Sequence, residues 1–312
     1  MPESGRRQVS GSPIGITIVI PTRNRRVFLS EAIATVMAQT CADWELIVVD
    51  DGSTDDTRRF LEDLRDSRMR YIVRDTSAGP SVARNAGLAD ARGDTVMFLD
   101  DDDLLRPDTL KRLSDALHAR PDAVAATAAC RLYTENVGSL KVYHPPEPHT
   151  GIIWRELLFG WWANSGQNLY RTSVVRAIGG YDPQYLNVDD RKLWLQVAWR
   201  GEVCVLPFVA MEYRQHARQI SKSDGIAAQR QKMWNEFIAG LPSRLQPEAA
   251  GIRRAAELVQ ESVECRANRR FLRALPLQVR ACLAAPWLVT SPLTRRPLWW
   301  GIKKCLLRVT TP

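Results

Sequence analysis

Residues 93–103 read GDTVMFLDDDD. A Gly-Asp turn leads into the apolar run 96–99, and four consecutive acids follow it. A short apolar run bounded in this way predicts a strand buried on both faces. The same arrangement recurs upstream. The β-branched run 16–20 (ITIVI) ends in the polar residues Pro21 to Arg25, and 46–49 (LIVV) ends in Asp50 and Asp51. A third short strand is expected over 71–73. Between these runs the period changes. Leu29, Ala32, Ile33, Val36 and Met37 recur at helical spacing. Ser53-Thr54-Asp55-Asp56 has the composition of a helix start, with Phe60, Leu61 and Leu64 as the apolar face behind it, and a further helix is expected over 81–91. Strand and helix in alternation predict right-handed βαβ units and a mostly parallel sheet flanked by helices. Ligands of such sheets bind beyond the carboxyl ends of the strands. Three strand ends with polar residues therefore point to one shared crevice.

Beyond residue 131 the pattern is mixed, with strands expected over 167–170 and 203–209 and helices over 150–159 and 189–200. The last of these has Leu193, Trp194 and Val197 on one face. From 225 onward the chain reads as helical, with breaks expected at Pro242, Pro247, Pro276, Pro286, Pro292 and Pro297. The predicted organisation is a disordered lead-in over 1–14, an α/β unit over 15–224 that divides at 104, and a basic helical region over 225–312. The first 15 residues are polar and lack the apolar core of a signal peptide, and no run of 18 apolar residues predicts a membrane span. The six cysteines are scattered without a CxxC pair, which argues against a zinc site or disulfide framework and for a reducing, cytoplasmic setting. Of the net charge of +8, the residues from 225 onward carry +10 and the first 224 carry −2. This tail calls for an anionic partner.

Three acidic groups have chemistry to offer. In 100–103, adjacent carboxylates repel unless a cation is present, and a hard divalent ion such as Mg²⁺ or Mn²⁺ bridges carboxylate to substrate phosphate. On an extended backbone, Asp100 and Asp102 would point the same way. An acidic loop capping the next helix is an equal alternative. Asp50-Asp51 and Asp189-Asp190 can each be read as ordinary capping acids when taken alone.

Taken together, ITIVIPTRNR (16–25), LIVVDDGSTDDT (46–57), GPSVARNAGLADARGDTVMFLDDDD (79–103), GGYD (179–182), DDRKLW (189–194) and YRQH (213–216) resemble the family 2 glycosyltransferases, in that family's order and approximate spacing. The resemblance covers about 14–222. It implies the GT-A fold, a nucleotide-sugar donor, most readily a UDP-sugar, and a saccharide or lipid-linked acceptor, with Mn²⁺ or Mg²⁺ as cofactor. Pro21, Thr22 and Arg23 would line the uridine pocket, Asp51 would accept a hydrogen bond from the base, Arg84 would lie close to the nucleotide, and Asp100 with Asp101 would complete the donor site. Asp102, with His216, would hold the metal. Asp190 would be the catalytic base, and Asp189, where the family usually has Glu, would support it. Trp161, Trp162 and Gln167 are the acceptor-side candidates. A single base with in-line attack implies inversion, and a carboxylate at a helix start is expected to keep a depressed pKa.

Residues 265–308 interleave Arg and Lys with Leu, Trp and Phe, a mix suited to an interfacial helix on the inner, anionic face of a membrane. A helical appendage packed on the catalytic unit is the even alternative. Metal-dependent phosphoryl or nucleotidyl transfer leaves PTRNR, VDDGS and the late acid pair unexplained together. A nucleic-acid-binding protein lacks any supporting motif, and no nucleic-acid partner is expected.

Overall fold

The computed structural model describes residues 15–134, 138–143, 149–160, 164–185, 188–216, 225–268 and 271–286. Residues 1–14, Trp161, Trp162 and 287–312 lie outside them. The chain begins with β1 (Ile16–Thr22), α1 (Arg26–Met37), β2 (Trp44–Asp50), α2 (Thr57–Asp63), β3 (Met69–Val73), α3 (Pro80–Asp90) and β4 (Thr95–Phe98). It continues through β5 (Leu104–Leu105), α4 (Thr109–Ala119), β6 (Ala125–Thr134), β7 (Gly138–Tyr143), β8 (His149–Gly151), α5 (Trp154–Phe159), β9 (Asn168–Arg171) and α6 (Thr172–Ile178). The remaining elements are α7 (Asp189–Arg200), β10 (Val203–Arg214), α8 (Ile226–Gly240), α9 (Gln246–Ala267) and α10 (Phe271–Ala284).

Among the described residues one sheet runs in the order β3-β2-β1-β4-β9-β6-β10-β5, with β7 beside β6 and β8 beside β10. The first four strands pair in parallel, as the βαβ rhythm requires. The sheet as a whole is mixed, because β9 returns from the excursion through β7, β8 and α5 and enters antiparallel to both β4 and β6. Every residue of β1 and β2 is buried. Their alternation sorts the side chains to two faces: Ile18, Ile20, Leu46 and Val48 pack with α1, α2 and α4, while Val19, Ile47 and Val49 face α3, α6 and α7. Each such buried side chain is worth about 1.5–3 kcal/mol over an exposed one. A Cβ on Gly87 would meet Val19 Cγ1, so glycine is what lets α3 lie against β1.

Three local expectations change. The segment predicted as one helix over 150–159 is β8 followed by a shorter α5, since His149–Gly151 finds ladder partners on β10. The strand expected at 167 starts one residue later, after a 3-10 turn over Ser165–Gln167. Pro276 lies inside α10 instead of ending it. The described part of the basic tail is helical and shares the core of the α3 face through Trp234, Ile252, Leu277 and Ala281. Arg253 of α9 donates to the Leu158 carbonyl of α5 at 2.6 Å and lies over Trp234.

Candidate active site

At the carboxyl ends of β1, β2 and β4 the chain leaves a cavity of about 310 Å³, a size ordinary for small-molecule sites. Its wall contains Pro21, Thr22, Arg23, Asp51, Arg84, Asp100, Asp101, Asp102, Asp189 and Asp190. The ten residues singled out from the sequence on both sides of the sheet's midpoint therefore meet in one place. Arg25, Ser77, Gly79, Pro80, Ala83, Asn164, Ser165 and Tyr213 complete the wall.

Each side chain is placed by a local cause. After β1 the backbone reverses at Asn24, which has φ +54°. Asn tolerates this left-handed conformation better than most residues. Its Oδ1 accepts from the Thr54 and Asp55 amides, at 2.6 and 3.3 Å, and its own N–H donates to Ser53 Oγ. The reversal brings Arg25 over the acids, with Nη1 at 3.0 Å from Asp101 Oδ1 and 2.8 Å from Asp102 Oδ2. Thr22 also donates to Asp101 at 2.7 Å. Burial nevertheless pushes the Asp101 carboxyl up to about 7, with Arg25 opposing and Asp102 adding to the shift.

The acids 100–103 do not continue the strand. The Asp103 amide donates to the Asp100 carbonyl and the chain turns. Asp100 and Asp102 thus take different partners, against the expectation from an extended backbone. Asp100 accepts from Arg84 Nη2 at 2.6 Å, whereas Asp102 Oδ2 lies 2.8 Å from Arg25 and 2.9 Å from His216 Nε2. His216 arrives from the end of β10 and packs on Phe28, with ring centroids 4.8 Å apart. Asp103 is fully buried. It accepts from the Arg214 amide, and its Oδ2 has no partner. Burial, with Asp102 and Asp100 next, raises its pKa well above the usual range.

This donor set fits a cation shared with a ligand. Asp102 and His216 stand together beside buried excess negative charge with an orphaned oxygen, and among the described residues no three His, Cys, Asp or Glu side chains form a closed cage. Mg²⁺ and Mn²⁺ are commonly held by one or two carboxylates and substrate phosphates.

Asp51 has a different setting. Its carboxylate accepts from Ser77 Oγ at 2.6 Å and from the amides of Ala78 and Gly79, and Arg74 Nε lies 3.0 Å away. Burial alone would raise its pKa, but these donors, Ser77 foremost, hold it below the usual carboxylate value. Gly79, at φ +93°, supplies the backbone turn that presents the amide.

Asp189 and Asp190 open α7. Asp189 accepts from Ser81 Oγ at 2.6 Å and Arg84 Nη1 at 3.0 Å. Asp190 accepts a bond from the Arg191 amide. The depressed pKa expected for a helix start is not found there. Burial and the neighbouring Asp189 charge outweigh Arg191, Arg84 and the amide, and the Asp190 carboxyl is pushed up to about 6.

Gln167 lies beneath the wall. Its amide donates to the Ala128 carbonyl and accepts from the Asn164 amide, which fixes Asn164 and Ser165 at the cavity surface. The Asn-x-x-Gln spacing of a capping box was the available signal for this turn. Arg25 could have been found from its place in PTRNR. Tyr213 likewise stands in YRQH, and Ser77 had no comparable mark.

Comparison with known proteins completes the picture. Residues 17–172 match the sequence profile described as Glycosyl transferase family 2. The putative teichuronic acid biosynthesis glycosyltransferase TuaG of Bacillus subtilis is 31% identical over 137 residues, which are 43% of this chain and 54% of that one. The GalNAc(5)-diNAcBac-PP-undecaprenol beta-1,3-glucosyltransferase of Campylobacter jejuni is 40% identical over 101 residues, 31% of this chain and 33% of that one. The chain thus spans about half or less of the length of these curated relatives. The S. aureus TarS structure in complex with UDP-GlcNAc superposes with a TM-score of 0.66 at 16% identity, covering 93% of this chain and 88% of that one. That likeness shows the fold, a GT-A type α/β architecture. With half of its residues matched by the family profile, the chain belongs to glycosyl transferase family 2.

Proposed function

We propose that the protein transfers a sugar from a nucleotide-sugar, with UDP as the nucleotide, to an acceptor hydroxyl in the assembly of a bacterial surface polysaccharide or glycolipid. The observation that carries this reading is the convergence of Asp51, Asp100–Asp102 and the Asp189-Asp190 pair on one cavity. Pro21, Thr22, Arg23 and Asp101 are the donor-side residues, with Asp51 and Asp100 nearby. Asp190 is the base. It takes the acceptor hydroxyl proton as the oxygen attacks the anomeric carbon, the bond from that carbon to the diphosphate breaks, and the nucleoside diphosphate leaves. Attack from the opposite face inverts the anomeric centre. A carboxyl at about 6 is mostly ionised at neutral pH yet basic enough to accept a proton. Asp102 and His216 would hold Mn²⁺ or Mg²⁺, whose charge would stabilise the departing diphosphate. Trp161 and Trp162 are retained as acceptor contacts.

The acceptor is saccharide or lipid-linked, and the protein works at the cytoplasmic face of the membrane. Support comes from the undecaprenol-linked substrate in the name of the Campylobacter relative. Further support comes from α10, where Arg273 and Arg280 are exposed beside Val279 and Leu283, at 50% and 75% exposure. No described helix is long and apolar enough to cross a membrane. Vesicle flotation tests the tail: a chain ending near 264 should lose binding to anionic vesicles, and undiminished binding refutes the role of 265–308.

Thermal unfolding with UDP, GDP or dTDP, each with Mn²⁺ or EDTA, tests the central reading. UDP with Mn²⁺ should stabilise the protein by about 2.7 kcal/mol at a hundredfold excess over Kd, and Asp102→Ala should abolish the metal-dependent part. A folded sample that responds to no nucleotide overturns the proposal.

A further inference from the structure

The Asp189-Asp190 pair is held from behind by α3. Ser81 is buried and lies outside the cavity wall, yet its hydroxyl donates to Asp189 Oδ2 at 2.6 Å. One turn along α3, Arg84 reaches the same oxygen with Nη1 at 3.0 Å and Asp100 Oδ1 with Nη2 at 2.6 Å. Its guanidinium also lies 4.9 Å from the Tyr181 ring centroid, so it is enclosed on its flat side as well. Serine and arginine one turn apart on a helix project to one side, which is why both meet a carboxylate 105 residues or more away in sequence. Both planar ends of Arg84 are engaged by carboxylates in a site where it is only 7% exposed. A guanidinium so bound is poorly placed to contact a nucleotide, and well placed to fix the distance between the donor-side acid and the base-side pair.

We propose that Ser81 and Arg84 are positioning residues: they hold the Asp189 side chain in place beside Asp190, and Arg84 ties it to Asp100 across the cavity. This rests on the transferase reading for its meaning and on the geometry alone for its existence. Asp189 then acts through Asp190 and does not touch the acceptor. The electrostatics follow from the neighbours of Asp190. On its own helix these are Asp189 and Arg191. Arg84 faces it from α3 and the Tyr170 phenol from β9. Among them Asp189 is the one carboxylate, and it disfavours ionisation of Asp190, while Arg84 favours it.

The test is carbon-13 carboxyl NMR of the full chain labelled at aspartate, titrated without donor or acceptor, with the Asp190 signal identified by its loss in Asp190→Asn. Asp189→Asn, which preserves an acceptor for Ser81 and Arg84, should lower the Asp190 midpoint by about one unit, the size expected for losing a like charge in contact. Arg84→Gln should raise it, and Arg84→Lys should restore part of the difference. Ser81→Ala should move the midpoint in the wild type and leave it unmoved in the Asp189→Asn background, because its effect passes through Asp189. UDP affinity should be unchanged by Ser81→Ala. An Asp190 midpoint indifferent to Asp189→Asn, or a Ser81→Ala effect equal in both backgrounds, overturns the inference. So does a tenfold loss of UDP affinity in Arg84→Lys with no change in the midpoint, which would return Arg84 to the nucleotide. If Arg84→Gln does not fold, the Asp189→Asn and Ser81→Ala pair decides alone. Since the titration needs no substrate, absence of sugar transfer with intact coupling counts against the transferase reading and not against this one.

Discussion

Asp51 and Asp190 are each the second member of an Asp-Asp pair, each stands at the boundary of a secondary-structure element, and both reach the same cavity. Their surroundings separate them. Around Asp51, a hydroxyl, two amides and a guanidinium compensate for burial, and the carboxylate is held ionised. Around Asp190, the amide and guanidinium of Arg191 and the guanidinium of Arg84 do not overcome burial and the Asp189 charge. Dense hydrogen bonding makes the first a fixed anion at the donor side of the cavity. Sparse solvation beside a like charge makes the second an acid whose proton can move. The identical dipeptides acquire opposite properties from the donors placed around them.

The contrast can be broken by substitution. Asp190→Asn should lower the sugar-transfer rate by at least about 10²-fold, the lower range for loss of a general base, with unfolding midpoints near those of the wild type. Asp51→Ala should act on the fold and on UDP binding, not on the proton transfer. It leaves the Ser77 hydroxyl and two amides without their acceptor and should cost about 1–3 kcal/mol in urea denaturation, loosening the 74–79 segment. A rate loss from Asp51→Ala at saturating donor, with unaltered stability, would erase the distinction.

Acid pH separates the two without mutation. In the proposed mechanism Asp190 acts as base when ionised, so the rate should fall about tenfold per unit as pH drops through about 6, and should level off above it. Asp51 has a folded pKa below its unfolded value of about 3.9. Its contribution to stability is complete above that unfolded value and is lost only as pH falls through the lower folded one. At pH 5 transfer should therefore be depressed while Asp51 still stabilises the fold, a difference visible by following rate and thermal midpoint on one sample. The smallest expected effect belongs to Asp50→Asn. Asp50 offers one oxygen to the Ser53 amide at 2.9 Å and its other oxygen has no partner, so an amide that retains the acceptor should change stability by less than about 1 kcal/mol.

The first half of the molecule was legible because its strands are short, apolar and bounded by acids, and their parallel pairing follows from that rhythm, whereas the order β3-β2-β1-β4, which sets β1 between β2 and β4, does not. The place of β9 was not, since four residues with no periodicity of their own are positioned by partners on both sides. The cavity was likewise readable in its residues and not in its electrostatics. Asp102 and His216 lie 2.9 Å apart, which neither stretch of sequence gives by itself. The direction of the Asp190 shift was misread because a helix start suggests stabilisation of a negative charge, and the burial that overrides it comes from elements distant in sequence. Gln167 shows the same limit. Its chemistry suits an acceptor site, but both ends of its amide are engaged by backbone groups that only the fold brings near.

The seating of α9 on α5 bears on how such proteins diversify. Arg253 donates to a carbonyl at the end of α5 while stacking on Trp234 of α8, and Glu248 pairs with Arg155 at 2.6 Å. Whatever the tail binds, its inner surface is complementary to the α/β unit that carries it. Chimeras that exchange tails between relatives would need to transplant the α5 surface along with them, and a truncation just before α8 would uncover Trp154 and Leu158 and favour self-association over a working minimal enzyme.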